Sequence, residues 1–271
     1  MKKRILIILL LAALLTGCAK NADNTPALTA ATEPTRPDTR TIYICTSQTL
    51  SSGGSVTRTD YILDAQNQVR QVVVYTNENE TMRYEVECDA NGNYIRWVNG
   101  DISSTYTYDQ QGRPLLKSFY HGDTLTGSVE QVWEGNLQTA LIARNGNQEQ
   151  RTAYYYNESG QKIREELYQN SVLVSYAHLT LNEDGQPASQ NVYLADGTLS
   201  ATISYTYDGT TVTATSRDSD GNVQKNTEDT YDAHGNLTAT TVFDAEGNVL
   251  TRKTNTWTPI QVPVSVPRAS I

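Results

Sequence analysis

The sequence predicts an all-β fold, a long antiparallel β-meander of repeated hairpins that forms a curled single sheet or a partial barrel. Two observations predict it: a turn led by Asp or Asn and containing Gly recurs along the chain, and side chains alternate in character between the turns. The clearest turns are Asp89–Asn93, Asp109–Arg113, Asn157–Gln161, Asp218–Asn222, Asp232–Asn236 and Asp244–Asn248.

Alternation places the apolar and aromatic residues of one stretch on one side of a strand. Leu199, Ala201, Ile203 and Tyr205 form such a set. Connections of about two to five residues suit antiparallel neighbours and leave no room for a parallel crossover. We therefore expect roughly 14 to 17 strands, and because open twisted sheets seldom exceed about ten strands, we expect this one to curl.

The first residues of the sequence are typical of an export signal. The basic Met1–Arg4 precedes an apolar run, Ile5–Leu15, which is too short to span a membrane as a mature helix. The following Leu15–Cys18 resembles the lipobox of bacterial lipoproteins, which implies that residues 1–17 are removed and that Cys18 is lipidated. The alternative is a simple secretory signal, which leaves a free exported protein.

Lipidation at Cys18 makes a bacterial membrane the first expected partner, and it places the chain outside the cytoplasm, at the cell envelope or surface. Two or three acyl chains anchor a protein almost permanently. Residues 18–40 are rich in Ala, Thr, Pro and Asn and bury little apolar surface, so we expect a disordered tether. Whether the host has one membrane or two stays open.

Residues 41–258 are expected to form the repeat domain, and residues 259–271 a Pro-rich C-terminal tail. The tail contains Pro259, Pro263 and Pro267. Since Pro cannot donate a ladder hydrogen bond, such a tail could cover the last edge of the sheet.

The charge of the chain argues against one class of partner. The formal net charge is −9 at pH 7. Because an acidic surface repels nucleic acid, we expect no nucleic-acid partner.

Two cysteines remain after Cys18 is assigned to lipidation. Cys45 and Cys88 both lie in strand-like stretches. In an exported chain they could form a disulfide, provided that their strands are neighbours. The alternative is that both are buried thiols that pack as small apolar residues.

The turn sequences resemble the YD repeats of bacterial Rhs proteins. The residues that carry the resemblance are Tyr106–Arg113, Tyr205–Gly209 and Tyr231–Leu237. The resemblance implies β-hairpin units of about 20 residues wound into one sheet, over roughly residues 55 to 258. The chain has far fewer repeats than a full Rhs shell and lacks its Asp-Pro-rich cleavage motif, so encapsulation and toxin delivery are not carried over.

Catalytic motifs are absent from the sequence, and we expect neither an enzyme nor a cofactor. His121, His178 and His234 have no metal-ligand or nucleophile spacing. Glu165 and Glu166 could serve glycoside hydrolysis only if they shared a site, whereas adjacent residues of a strand face opposite sides.

One turn resembles the start of a calcium loop. Asp218, Asp220 and Asn222 alternate as calcium ligands do, but Val223 stands where that loop needs Gly. Hairpin-turn chemistry explains the same residues, so we expect no metal.

Tyrosine is the most distinctive residue of the chain, with 17 Tyr against 2 Phe. The aromatic rings could bind a glycan, a wall component or a protein, or they could simply cover the sheet. The candidate binding residues are Tyr106, Tyr108, Trp133, Tyr154, Tyr155, Tyr156, Tyr205 and Tyr207. We expect a membrane-anchored binding or adhesion module; the alternative is a structural scaffold or companion of an Rhs-type system without a small-molecule ligand.

Overall fold

A computed structural model describes residues 39–263, and side chains from residue 41 to residue 261. This part of the chain contains 18 β-strands and no helix, and each strand pairs antiparallel with the next. The strands are β1 (Thr39–Ser52), β2 (Ser55–Leu63), β3 (Val69–Thr76), β4 (Asn79–Cys88), β5 (Tyr94–Asn99), β6 (Ile102–Tyr108), β7 (Pro114–His121), β8 (Thr124–Glu134), β9 (Leu137–Asn145), β10 (Gln148–Tyr156), β11 (Lys162–Gln169), β12 (Val172–Leu181), β13 (Pro187–Leu194), β14 (Leu199–Asp208), β15 (Thr211–Asp218), β16 (Val223–Tyr231), β17 (Leu237–Asp244) and β18 (Val249–Pro263).

The sheet closes on itself because β1 pairs with both β2 and β18. The fold is therefore a closed antiparallel β-barrel with meander topology. This confirms the all-β prediction, and the barrel is closed where the sequence predicts a curled sheet or a partial barrel. The sequence predicts at most about 17 strands. The extra strand is explained by turns that lack the recurring Gly signal.

Two compact units divide the described residues. In the first, residues 39–45 accompany residues 257–263, and the Gln261 Nε2 donates to Thr41 Oγ1 at 2.8 Å. The second runs from Thr46 to Thr256 and contains β2 to β17. Strand β18 continues to Pro263 and so includes the first five residues of the expected tail, 259–263.

The turns follow the chemistry that the sequence indicates. Gly at the recurring positions has positive φ, for example +78° at Gly112 and +87° at Gly221, and glycine adopts this conformation without a steric penalty. Two hairpins use Asn77-Glu78 and Asn170-Ser171 instead, and all four of these residues have positive φ. Two consecutive positive φ angles are typical of a type I′ turn, the tight hairpin that suits twisted strands.

The longer turns are organised by the side chain that leads them. In the turn after β6, Asp109 Oδ1 accepts the backbone N–H of Gln111 at 2.8 Å and of Arg113 at 2.9 Å. Burial alone would raise the pKa of Asp109, but these hydrogen bonds and the Arg113 guanidinium lower it. The leading Asp is therefore a structural group of its own loop.

The buried apolar core is small and lies near the start of the repeat unit. Val69, Val72 and Val86 are buried on β3 and β4. Half-buried side chains pack against them, namely Tyr61, Leu63, Tyr84, Cys88, Tyr94 and Trp97. Most other side chains are only half-buried, so cross-strand pairs contribute much of the cohesion of this sheet.

Several predictions fall on residues outside the described part of the chain. These are the signal at residues 1–17, the lipidated Cys18, nearly all of the tether and the end of the tail. No helix within residues 39–263 is long and apolar enough to cross a membrane.

The cysteine prediction concerns two strands of the sheet. Cys45 is buried on β1, whereas Cys88 is half-buried at the end of β4, where its thiol donates to the Val69 carbonyl at 3.4 Å. Strands β2 and β3 lie between β1 and β4 in the sheet order. The disulfide stays a prediction of the sequence.

Candidate functional site

Four of the eight predicted binding residues lie at strand ends and hydrogen-bond to the backbone. Tyr108 Oη donates to the Tyr94 carbonyl at 2.8 Å, and Tyr156 Oη donates to the Gln138 carbonyl at 2.6 Å. The other two act in the same way: Tyr207 Oη donates to Pro187 O at 2.8 Å, and Trp133 Nε1 donates to Pro114 O at 2.9 Å.

These contacts have one physical cause. The ladder between β5 and β6 ends at the pair Arg96↔Thr105, so the carbonyl of Tyr94, two residues farther out, has no ladder partner on β6. The Tyr108 hydroxyl supplies the missing donor. Since a backbone carbonyl left unpaired away from water is costly, the Tyr of the Tyr-Asp pair stabilises the strand end.

Three further predicted residues lie on one face of the sheet, in separate places. Tyr106 contacts the rings of Tyr94 and Trp97, with centroid distances of 6.4 and 6.2 Å. Tyr154 lies on β10, and Lys162 Nζ lies 5.3 Å from its ring centroid. Tyr205 Oη donates to a side-chain amide oxygen of β13 at 3.2 Å. The structure does not bring these residues together as one site.

The eighth predicted residue, Tyr155, belongs to a cluster on the opposite face of β10 to β13. Cross-strand pairs place the cluster on one side: Tyr155 is opposite Arg164, Glu166 is opposite Tyr176, and Tyr176 is opposite Tyr193. We call the set the platform. Its members are Tyr155, Arg164, Glu166, Tyr168, Tyr176 and Tyr193.

Glu166 holds the centre of the platform. It is only 8% exposed, and its Oε2 accepts hydrogen bonds from the hydroxyls of Tyr155 and Tyr168, both at 2.6 Å. Its Oε1 lies 2.6 Å from Arg164 Nη2. Three donors thus satisfy one buried carboxylate, which is the condition for burying a charge without a large penalty.

The electrostatics of the platform follow from this arrangement. Burial tends to raise the pKa of Glu166, but the hydrogen bonds from Tyr155, Tyr168 and Arg164 outweigh it and lower the pKa. The hydrogen bond to Glu166 raises the pKa of Tyr155 to about 12 and raises the pKa of Tyr168. At neutral pH the centre is therefore a carboxylate held by two neutral phenols.

Aromatic stacking extends the platform toward β13. The rings of Tyr176 and Tyr193 are stacked, with centroids 5.1 Å apart and an interplanar angle of 18°. Arg164 Cζ lies 4.8 Å from the Tyr176 ring centroid, and His178 packs edge-on against Tyr176 at 5.5 Å. The Arg164 Nε is buried and has no hydrogen-bond partner within the described residues.

The platform presents flat rings on a rigid sheet, with polar groups between them. Tyr155 is the most accessible member, at 42% exposed, and the hydrogen bond to Glu166 fixes its ring. Aromatic rings of this kind stack on the apolar face of a sugar or on another flat group, and guanidinium and hydroxyl groups then set its orientation.

Other charged groups also pair on the sheet, for example Arg144 with both Glu130 and Glu149. No group of three or more His, Cys, Asp or Glu side chains that could hold a metal ion occurs within residues 39–263. Asp218 Oδ1 accepts the N–H of Asp220 at 3.0 Å and of Asn222 at 2.9 Å, which is hairpin-turn chemistry. Glu165 and Glu166 project to opposite faces, since their partners Tyr154 and Ala153 are adjacent on β10.

Sequence reasoning missed most of the platform. Arg164, Tyr168, Tyr176 and Tyr193 were not predicted as site residues, and Glu166 was considered only as half of a carboxylate pair. A signal was present, because Arg164, Glu166 and Tyr168 alternate along β11. Only the register shows that Tyr176 and Tyr193 extend the same face.

No family model and no curated protein matches the chain. Among solved structures, a porin-like protein from Bacteroides uniformis ATCC 8492 is 11% identical with a TM-score of 0.33, over 80% of this chain and 96% of that one. A porin-like protein from Bacteroides vulgatus ATCC 8482 is 12% identical with a TM-score of 0.28, over 70% and 98%.

A chain of the TcdB2-TccC3-Cdc42 structure is also among the structural neighbours. The chain in TcdB2-TccC3-Cdc42 is 11% identical with a TM-score of 0.23, over 79% of this chain. This chain spans only 17% of that one.

Proposed function

We propose that the chain is a lipid-anchored protein of the bacterial cell envelope that binds a carbohydrate on the platform. The observation that carries this proposal is the convergence of two tyrosine hydroxyls and one guanidinium on the buried carboxylate of Glu166, with the stacked rings of Tyr176 and Tyr193 on the same face. The lipobox-like Leu15–Cys18 and the Pro-containing tether support an exported, anchored location.

The chemistry of the platform favours a sugar over a charged ligand. Arg164 already pairs with Glu166, so the centre has little net charge to offer an ion. What remains exposed is aromatic surface, led by Tyr155, and aromatic surface stacks on pyranose rings. The proposal is for a binding protein and not for an enzyme.

The test uses the full chain in detergent micelles and measures its retention on a panel of immobilised polysaccharides and cell-envelope fractions. Tyr155→Ala removes an exposed ring of the platform, whereas Tyr207→Ala removes a ring of similar exposure, 37%, on the opposite face. We expect Tyr155→Ala and Tyr193→Ala to weaken retention about threefold to tenfold, the usual contribution of one stacked ring, and Tyr207→Ala to leave it unchanged.

The outcomes separate the possibilities. Retention by a defined polysaccharide that the platform variants weaken supports the proposal. Equal retention of all variants, or retention by no polysaccharide, contradicts it.

A second candidate is a structural scaffold, such as a companion of an Rhs-type system without a small-molecule ligand. The observation that favours it is the strand-end hydrogen bonding of Tyr108, Trp133, Tyr156 and Tyr207, which assigns these aromatic residues to the sheet itself. Recovery of specific proteins alone from the envelope fractions would support this candidate.

A further inference from the structure

A second cluster lies on the face of the sheet opposite the platform, around one lysine of β7. Lys117 Nζ lies 4.9 Å from the ring centroids of both Tyr106 and Phe119, and 5.6 Å from that of Trp97. Three rings contributed by β5, β6 and β7 therefore surround one amine. We call these four residues the Lys117 cluster.

The described neighbours of this amine are not acidic. The cross-strand partners of Lys117 are Tyr106 on β6 and Val129 on β8. Its neighbours on the same face of β7 are Leu115 and Phe119. Within residues 39–263, the salt bridges involve other cations and do not include Lys117.

Burial without a counter-ion favours the neutral form of the amine, although the faces of the rings attract an ammonium. Burial lowers the pKa of Lys117 from its ordinary value to about 8, while burial raises the pKa of the adjacent Tyr106 to about 12 and keeps that phenol neutral. At pH 7.5 such an amine is neutral in roughly a quarter of the molecules, against about 0.1% for an ordinary lysine. A neutral amine is a nucleophile, and an ammonium is not.

One of the three rings also carries a buried hydrogen-bond donor. The Trp97 Nε1–H is buried and has no acceptor within the described part of the chain. The cluster thus combines a nucleophile, apolar walls and an unused donor, which is a combination suited to a carbonyl compound.

We propose that Lys117 is a reactive amine that captures apolar aldehydes as an imine, with the rings of Trp97, Tyr106 and Phe119 holding the apolar part of the aldehyde. The nitrogen lone pair attacks the carbonyl carbon, and the C=O π electrons move to oxygen, which takes up a proton to give a carbinolamine. One nitrogen proton is released in place of the proton that the oxygen took up, and the hydroxyl group then leaves with the other nitrogen proton as water while the C=N bond forms. No oxidant or reductant is consumed.

The test is competitive reductive alkylation of the full chain in detergent micelles. Benzaldehyde is added below saturation with sodium cyanoborohydride, which reduces the imine by hydride transfer to a stable secondary amine, and peptide mass spectrometry measures the adduct at each lysine. Lys225, a half-buried lysine of β16, is the internal comparison. At pH 7.5 we expect Lys117 to be modified about tenfold faster than Lys225, because more of it is neutral.

Two further measurements separate recognition from general reactivity. Formaldehyde offers no apolar surface, so the preference for Lys117 over Lys225 should be smaller with formaldehyde than with benzaldehyde. The rate at Lys117 should level off above about pH 8, where the amine is mostly neutral. Lys117→Arg should abolish the β7 adduct and leave the Lys225 adduct unchanged.

Modification of Lys117 no faster than Lys225 would overturn the proposal, and so would equal preference with the two aldehydes. The comparison is made within the wild-type chain, so it does not depend on whether a variant folds. It is also independent of carbohydrate binding, because the platform lies on the other face of the sheet.

Discussion

The platform and the Lys117 cluster are built from the same kind of residue but treat their charged member in opposite ways. Glu166 is surrounded by three donors, and its pKa is lowered, whereas Lys117 is surrounded by three rings, and its pKa is lowered to about 8. Lowering the pKa of an acid favours its charge, and lowering that of an amine disfavours it. The negative charge of Glu166 therefore stabilises the platform, whereas burial disfavours the positive charge of Lys117 in its cluster.

The largest expected effect comes from removing the carboxylate of Glu166, whose charge is compensated by three donors. Glu166→Ala leaves the hydroxyls of Tyr155 and Tyr168 and the Arg164 guanidinium without their acceptor. We expect the free energy of unfolding to fall by about 3 kcal/mol, since a buried ion pair that loses one partner costs about that much. Thermal denaturation followed by circular dichroism should show a decrease of roughly 6 to 12 °C.

The adjacent residue provides the matched control. Glu165 lies on the other face and pairs with the partly exposed Lys162. Glu165→Ala should cost less than about 1 kcal/mol, as partly exposed ion pairs usually do. Equal losses for the two alanine variants would contradict the central role of Glu166.

A smaller difference is expected between the tyrosines of the two clusters. Tyr155→Phe removes a hydrogen bond to a carboxylate, and Tyr106→Phe removes a hydroxyl that is hydrogen-bonded to the neutral Ser104 side chain. Bonds to charged groups contribute more, so we expect losses of about 1.5 kcal/mol for Tyr155→Phe and below about 1 kcal/mol for Tyr106→Phe. Urea denaturation of both variants with unchanged m-values would measure the difference, and the reverse order would count against it.

The fold could be predicted from the sequence because turn chemistry is local. Asp109 and Gly112 define their turn without help from the rest of the chain, and the structure confirms it. The turns at Asn77-Glu78 and Asn170-Ser171 carry a weaker signal because non-Gly residues there adopt positive φ, a rarer choice. The Asn77-Glu78 turn, which contains no Gly, is one reason why the predicted number of strands was too low.

The clusters could not be predicted because they depend on register. Tyr193 meets Tyr176, and Tyr106 meets Lys117, only through the pairing of neighbouring strands, which the bulges near the strand ends shift. A slip of one residue would move each side chain to the other face. The sequence does indicate that Glu165 and Glu166 point apart, because this follows from alternation within a single strand.

Removing the charge of Lys117 should raise the stability of the protein, whereas removing that of Glu166 should lower it. Lys117→Met keeps an unbranched apolar side chain among the rings and removes an amine that burial disfavours when charged. We expect this variant to be more stable than the wild type by about 1 kcal/mol at pH 7, since replacing an unfavourably buried charge with an apolar group is often stabilising. Lys225→Met is the control, and thermal denaturation should show no comparable gain for it.

The smallest expected effect is the pH dependence of the stability gained by Lys117→Met. This pH dependence tests whether the gain comes from removing the charge. The folded-state pKa of Lys117 is about 8, below the ordinary value of about 10.4, so between these pH values the unfolded chain binds more protons than the folded one. Wild-type stability therefore gains from this group as the pH rises through the window, and Lys117→Met cannot gain. The difference between the two proteins should shrink from pH 7 to pH 9.5.

The tyrosines set the upper limit of the pH range in which this stability difference can be measured. The pKa values of Tyr106, Tyr154 and Tyr155 are raised to about 12, in the first two mainly by burial and in Tyr155 mainly by the hydrogen bond to Glu166. Above about pH 10 unfolded tyrosines lose protons that the folded ones keep, so stability falls in both proteins. A stability difference that stays constant from pH 7 to pH 9.5 would mean that Lys117→Met acts through packing and not through the charge.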